Sequence, residues 1–271
     1  MNAQTNHSPP PFFQALLEAR APMDYLQMRL VARGLRLLGE KGLGQPVWVL
    51  PGMGTVDYHT RPLRRLLESS GYKVFRWERG PNFGFLPGIK EAMHIRLREM
   101  HQQGEGKRVT LIGWSLGGVM ARTLAAEAPD LVERVIMLAS PIHGMQTSTR
   151  VGWLYHGVRA MRGVAKSSSN RIPRLTRVAV PITSVVCRWD GIVNWWDCLE
   201  FESVQPENWM VPGTHLALCA NPWVAWLILE RLASGANGAF FTVPKGLSHF
   251  FREVSGEVDM AYRSPTEKKI I

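Results

Sequence analysis

From Val47 onward the chain alternates short apolar runs with amphipathic segments, and that alternation constrains the fold more than any other feature. Val47-Trp48-Val49-Leu50, bounded by Pro46 and Pro51, has no polar position to turn toward water, as in a strand buried on both faces. Residues 60–71 then read as a helix with Thr60 at its cap, Pro62 in its first turn and Leu63, Leu66 and Leu67 along it. The pattern recurs. Strands are expected over residues 73–77, 108–113, 134–139, 182–188 and 208–211, and helices over 87–102, 116–128 and 222–232. Strands alternating with helices over short connections build a mostly parallel sheet covered on both faces, so the expected class is a doubly wound α/β domain. With 271 residues, 45% of them apolar, one such domain can bury a sizeable core.

Three segments lie outside the alternation. Residues 1–44 carry an amphipathic helical pair, in which Pro22 opens a second segment whose Leu26, Leu30 and Leu37 alternate with Arg29, Arg33 and Arg36. Because its basic face is short and interrupted by Gly34, a helix packed on the outside of the domain is favoured over one lying on a membrane. Residues 142–181 are too long for a crossover loop and read as a small cap inserted into the domain, which spans residues 45–234. Residues 235–271 form a tail whose Phe240-Phe241 and Phe250-Phe251 pairs can dock on the body while its end frays. Most of the net charge of +10 sits in the cap: Arg150, Arg159, Arg162, Lys166, Arg171, Arg174 and Arg177 occur there with no Asp or Glu. A solvated basic insertion is the plain reading, and contact with an anionic lipid or substrate is the sharper one. Cations gathered in one insertion, with no helix-turn-helix or finger pattern, argue against nucleic acid. No run of about 18 apolar residues suggests a membrane span. Cys187, Cys198 and Cys219 are an odd, scattered set that suits neither disulfides nor zinc, and the polar start shows no export signal; a cytoplasmic protein is expected.

Gly113-Trp114-Ser115-Leu116-Gly117-Gly118 is a G-x-S-x-G motif placed directly between a strand and a helix. In that context the serine sits on a sharp turn, and side chains at the flanking glycines would clash where strand and helix approach each other. A serine hydroxyl needs a base to take its proton and an acid to orient the base. Asp190, just past the strand at 182–188, stands at the carboxyl edge of the sheet and is the expected acid; Asp197, in a Trp195-Trp196-Asp197 stretch, is farther from the strand end. His215, on the loop after the last strand, is the expected base. His143 precedes the acid in the chain, and His59, His94, His101 and His156 fall in helices or loops. Oxyanion donors are expected from the backbone N–H groups of Leu116 and of Met53, in the Pro51-Gly52-Met53-Gly54 turn after the first strand.

The order Ser115, Asp190, His215, the 51–54 turn and Ser140-Pro141-Ile142-His143-Gly144 together resemble the α/β-hydrolase superfamily. Within it the chain is similar to the bacterial lipase/esterase and PGAP1-like group. The likeness covers roughly residues 45–232 and departs from it at Pro51, where many members carry histidine. The resemblance implies the α/β-hydrolase fold and a serine hydrolase that cleaves a carboxylic ester through an acyl-enzyme, needing neither metal nor organic cofactor. Phe83, Phe85, Trp114, His143, Trp153 and Trp195 are expected near the substrate pocket, where an apolar lining suits a lipid-like ester, although each aromatic could equally be core. The residues Gly80-Pro81-Asn82-Phe83-Gly84-Phe85 are assigned only to the mouth. An acyltransferase or thioesterase with the same triad stays open, as does a non-catalytic binding protein on the same fold. Peripheral contact of the basic cap with an anionic membrane is left open too.

Overall fold

The computed structural model describes residues 9–38, 41–143, 149, 176–235, 241–243 and 245–254. Within them a seven-stranded sheet runs in the order β2-β1-β3-β4-β5-β6-β7. Its strands are β1 (Pro46–Leu50), β2 (Lys73–Phe75), β3 (Val109–Trp114), β4 (Val132–Leu138), β5 (Ile182–Val186), β6 (Pro206–Met210) and β7 (Arg252–Glu253). All pairings are parallel except β6 with β7. Strands β1, β3 and β5 are buried at every position, and β1 accordingly carries no polar residue.

Helices α1 (Phe12–Leu17) and α2 (Ala21–Leu38) precede the sheet; α3 (Asp57–Ser69), α4 (Ile89–Gln103), α5 (Leu116–Glu127) and α6 (Pro222–Ala233) follow its strands. One apolar layer holds Val49, Leu67, Ile112 and Ile136 with Leu227 and Ile228 of α6, and α2 contributes Met28 to it. The other holds Trp48, Leu111 and Met137 with Leu97 of α4 and Met120 of α5. The fold is the expected doubly wound one, and it carries the loops after β1, β3, β5 and β6 to the carboxyl edge of the sheet, where such folds bind ligands.

Several boundaries differ from expectation for local reasons. Helix α3 starts at Asp57, not at Thr60, and β2 stops at Phe75 instead of Trp77; one side chain explains both. The Asp57 carboxylate accepts the Trp77 and Glu78 N–H groups, each at 2.9 Å, which ties the start of the helix to the end of the strand and takes those groups out of the sheet ladder. Strand β5 ends two residues short of Arg188 because the Cys187 carbonyl turns to accept the Asp190 N–H at 3.2 Å. The short β7 was not expected; it closes the sheet with two tail residues, while Phe241 and Phe251 enter the apolar layer. Most of the cap at 142–181 lies outside the described residues. Its described parts bridge the body at two points, Thr149 to Val193 and Val178 to Ser203. No helix among the described residues is long and apolar enough to cross a membrane.

Candidate active site

Ser115 ends the tight turn between β3 and α5 with φ 53° and ψ −120°, a conformation an L-residue holds only when its surroundings impose it. The surroundings are glycines. A methyl group on Gly113 would collide with the Gly118 backbone, and one on Gly117 would come within 2.5 Å of the Leu50 carbonyl oxygen and 2.6 Å of that of Pro51. Helix α5 can therefore start directly over the end of β1, with the Leu116 N–H in its unpaired first turn.

Asp190 and His215 are brought together from the loops after β5 and β6. The His215 Nδ1–H donates to Asp190 Oδ2 at 2.7 Å, while Asp190 Oδ1 accepts the Ile192 and Val193 N–H groups at 2.8 and 2.7 Å. An ionised carboxylate only accepts, so neutral His215 carries its proton on Nδ1 and presents Nε2 as the base. Both side chains are buried, at 2% and 3% exposure. Burial disfavours the charged ring, but the Asp190 carboxylate, by its charge and its hydrogen bond, and the Glu18 charge outweigh it, so the His215 pKa lies above the ordinary imidazole value. Trp114 joins the serine turn to this pair: its indole N–H donates to the His215 carbonyl at 3.0 Å, and its ring lies 5.8 Å from the imidazole.

The geometry separates the remaining candidates. Asp197 lies in a 3-10 turn, Trp195–Cys198, and its carbonyl accepts the His143 N–H at 2.9 Å. The His143 ring is bonded to the Leu199 carbonyl at 2.9 Å and so clips the loop after β4 to the segment after that turn. His59 contacts the Val56 backbone, His94 pairs with Glu127, and His101 is bonded to the Lys107 carbonyl. Phe83 is half-buried beside the 51–54 turn. Phe85 is buried in the core layer of α4 and α5, and Trp114 in that of α6, where it backs Gly52. Trp195 packs edge-on against Trp196. Trp153 and His156 lie outside the described residues. No group of His, Cys, Asp or Glu among the described residues could hold a metal ion.

Two positioning residues escaped the sequence reading. Asn82, fully buried, donates from its side chain to the Pro51 carbonyl at 2.7 Å and accepts the Gly84 N–H at 2.9 Å; its backbone carbonyl accepts the Gly54 N–H at 2.7 Å. The 80–85 loop thus holds the 51–54 turn in place and engages its Gly54 N–H. Glu18, between α1 and α2, is buried at 6% exposure. Its Oε1 accepts the Gly191 and His215 N–H groups at 2.9 and 3.0 Å, and its Oε2 the Leu216 N–H at 3.0 Å. One carboxylate from the N-terminal segment therefore clamps the acid loop to the base loop.

A family model described as the alpha/beta hydrolase fold matches residues 89–203. Among solved structures, ferulic acid-bound Est1E from Butyrivibrio proteoclasticus superposes with a TM-score of 0.52 at 14% identity, covering 70% of this chain and 88% of that one. An esterase from a marine microorganism gives 0.50 at 15% identity, covering 71% and 97%. No curated protein sequence matches the chain. The chain has the α/β-hydrolase fold, with a candidate Ser115, His215 and Asp190 triad at the edge where that fold places its chemistry.

Proposed function

We propose that the protein is a serine hydrolase that cleaves a carboxylic ester, with Ser115 as nucleophile, His215 as base and Asp190 as the acid that orients it. The observation that carries the reading is the pairing of a strained serine turn with an imidazole whose Nδ1 is fixed on a fully engaged carboxylate. Ser115 attacks the ester carbonyl as His215 Nε2 takes its proton; the N–H groups of Met53 and Leu116 receive the oxyanion; the proton then passes to the departing alcohol. Water repeats the cycle on the acyl-enzyme. The marine-microorganism esterase among the structural neighbours is in keeping with an ester substrate.

The finer parts of the reading rest on sequence. A lipid-like ester, kinship with the PGAP1-like lipase/esterase group and pocket roles for Phe83, Phe85, Trp114, His143, Trp153 and Trp195 belong to it. So do a cytoplasmic setting, supported by three unpaired cysteines, and contact of the basic 142–181 segment with an anionic surface. Labelling with a fluorophosphonate probe, wild type beside Ser115→Ala, tests the chemistry, and a p-nitrophenyl ester series from acetate to palmitate reads the acyl preference. Labelling lost with Ser115→Ala is expected; unlabelled, folded wild type would make a binding protein of the chain. Product analysis with added alcohol, and competition by a thioester, separate hydrolase from acyltransferase and thioesterase.

A further inference from the structure

Helix α2 is apolar on two opposite faces. One packs on the body: Ala21 and Met28 are buried, Tyr25 and Leu35 are partly so, and the helix rests on α6, α3 and the 215–220 turn. The other presents Met23, Leu26, Leu30 and Leu37 to solvent at helical spacing, with exposures of 58%, 57%, 73% and 73%. The face is open along its length, since even a methyl group added at Gly34 would meet nothing within 4 Å. A soluble helix facing water would carry polar residues there.

Two further features say what covers it. Arg29, Arg33 and Arg36 run along α2 between the two apolar faces; all three are exposed, and among the described residues none is in an ion pair. Long cationic stems beside an apolar stripe let the stripe enter an acyl layer while the guanidinium groups reach the headgroups. The surface also continues to the rim of the active site. Phe12, Phe13 and Leu16 of α1 are exposed, and the Phe13 ring lies 6.4 Å from that of exposed Trp189, the neighbour of Asp190. Arg188 sits over that indole, and Leu216, next to His215, is 46% exposed.

We infer that the outer face of α1 and α2 is an interfacial docking surface for a bilayer of anionic phospholipid, which seats the mouth of the active site against the membrane. The occupant is anionic lipid because the exposed Arg29, Arg33 and Arg36 flank the apolar stripe. The contact is peripheral, with α2 lying in the interface plane. It differs from the cap contact by resting on α1 and α2; the docking itself does not depend on the hydrolase reading, whereas its placement of the active site rests on it.

Co-sedimentation with vesicles tests it, using Ser115→Ala protein so that no hydrolysis intervenes. Binding to vesicles of mixed phosphatidylcholine and phosphatidylglycerol is expected, with little binding to phosphatidylcholine alone and loss of binding at high salt. Leu26→Ser with Leu30→Ser should weaken partitioning by about tenfold or more, and Arg29→Gln with Arg33→Gln and Arg36→Gln should weaken it as well. Both sets are on exposed positions, so circular dichroism and, in the Ser115 background, turnover of a soluble short ester should match wild type. Absence of binding to anionic vesicles, or equal binding by the Leu26→Ser, Leu30→Ser variant, overturns the inference. So does a concentration-dependent dimer that the same variant abolishes, which would give the face to a second copy of the chain.

Discussion

Glu18→Gln changes one atom of the carboxylate that spans the acid and base loops, and its consequences can be worked from three distances. In the wild type, Oε1 accepts from Gly191 and His215 and Oε2 from Leu216, all between 2.9 and 3.0 Å. A glutamine keeps one oxygen. Placed as Oε1 it retains two bonds, now without the charge that roughly doubles their strength, and its NH2 group then faces the Leu216 N–H, donor against donor. An unpaired buried donor costs about 1–3 kcal/mol, so a total loss of about 2–4 kcal/mol is expected, or roughly 5–10 °C in Tm. The Leu216 end of the clamp opens, and a displacement of the imidazole by about 1 Å lowers kcat by up to roughly 100-fold, with little change in KM for a small ester.

A pH profile distinguishes this from plain loosening of the fold. The neutral ring is the working base, so kcat/KM is full above the His215 pKa and falls as pH drops through it. Burial lowers that pKa, but Asp190 and then Glu18 raise it, and the net direction is upward. The wild-type ascending limb is therefore expected above the ordinary imidazole range, and Glu18→Gln, which deletes one raising charge, should move the limb to lower pH. The same sign governs stability: the contribution of the protonated ring is complete below the ordinary imidazole pKa and disappears as pH rises through the raised value. Profiles of kcat/KM on p-nitrophenyl butyrate, with thermal melts alongside, provide both readouts. A folded Glu18→Gln enzyme with an unmoved limb and undiminished kcat would refute the reasoning.

Asn82→Ala removes the support of the Pro51 carbonyl and the Gly84 N–H; a fall in kcat of about tenfold or more is expected as the 51–54 turn loosens, measured on the same ester. Gly117→Ala should reduce fluorophosphonate labelling sharply, because the added methyl meets the Leu50 and Pro51 carbonyl oxygens at 2.5 and 2.6 Å. Arg122→Met leaves buried Glu200 without the guanidinium that bonds it at 2.5 and 3.2 Å, and a loss of about 3–5 kcal/mol in chemical denaturation is expected. The three thiols should resist Ellman's reagent until the protein unfolds, since burial raises all three and pushes Cys219 up to about 12.

What the amino-acid order made legible is whatever acts over short range. The serine turn is encoded in six consecutive residues between a strand and a helix, and the Gly113 and Gly117 contacts are those the motif implies. The acid could be chosen between Asp190 and Asp197 by distance from a strand end, and the His215 bond at 2.7 Å selects Asp190. Boundaries failed where a side chain from elsewhere took over backbone groups. Thr60 is a good cap residue, yet α3 starts three residues earlier because Asp57 finds the Trp77 and Glu78 N–H groups, a partnership with no local signature.

Glu18 and Asn82 show the same limit within the site itself. Glu18 lies 173 residues from Gly191 and 197 from His215, and in the sequence it is an unremarked acid in an amphipathic segment. One signal was available, since Glu18 falls among Phe12, Phe13, Leu16 and Leu17, where a lone carboxylate has no local cation partner before Arg20. The pattern of α2 was also ambiguous for a physical reason. Two apolar faces separated by arginines blur into a single weak amphipathic pattern, and only the packing of Met28 against the body reveals that Leu26 and Leu30 belong to the other face. The N-terminal segment is therefore tied to the triad from one side, through Glu18, and left open on the other. Loss of the clamp and loss of the lipid-facing leucines should be separable, the first appearing in the pH profile on a soluble ester and the second only in vesicle binding.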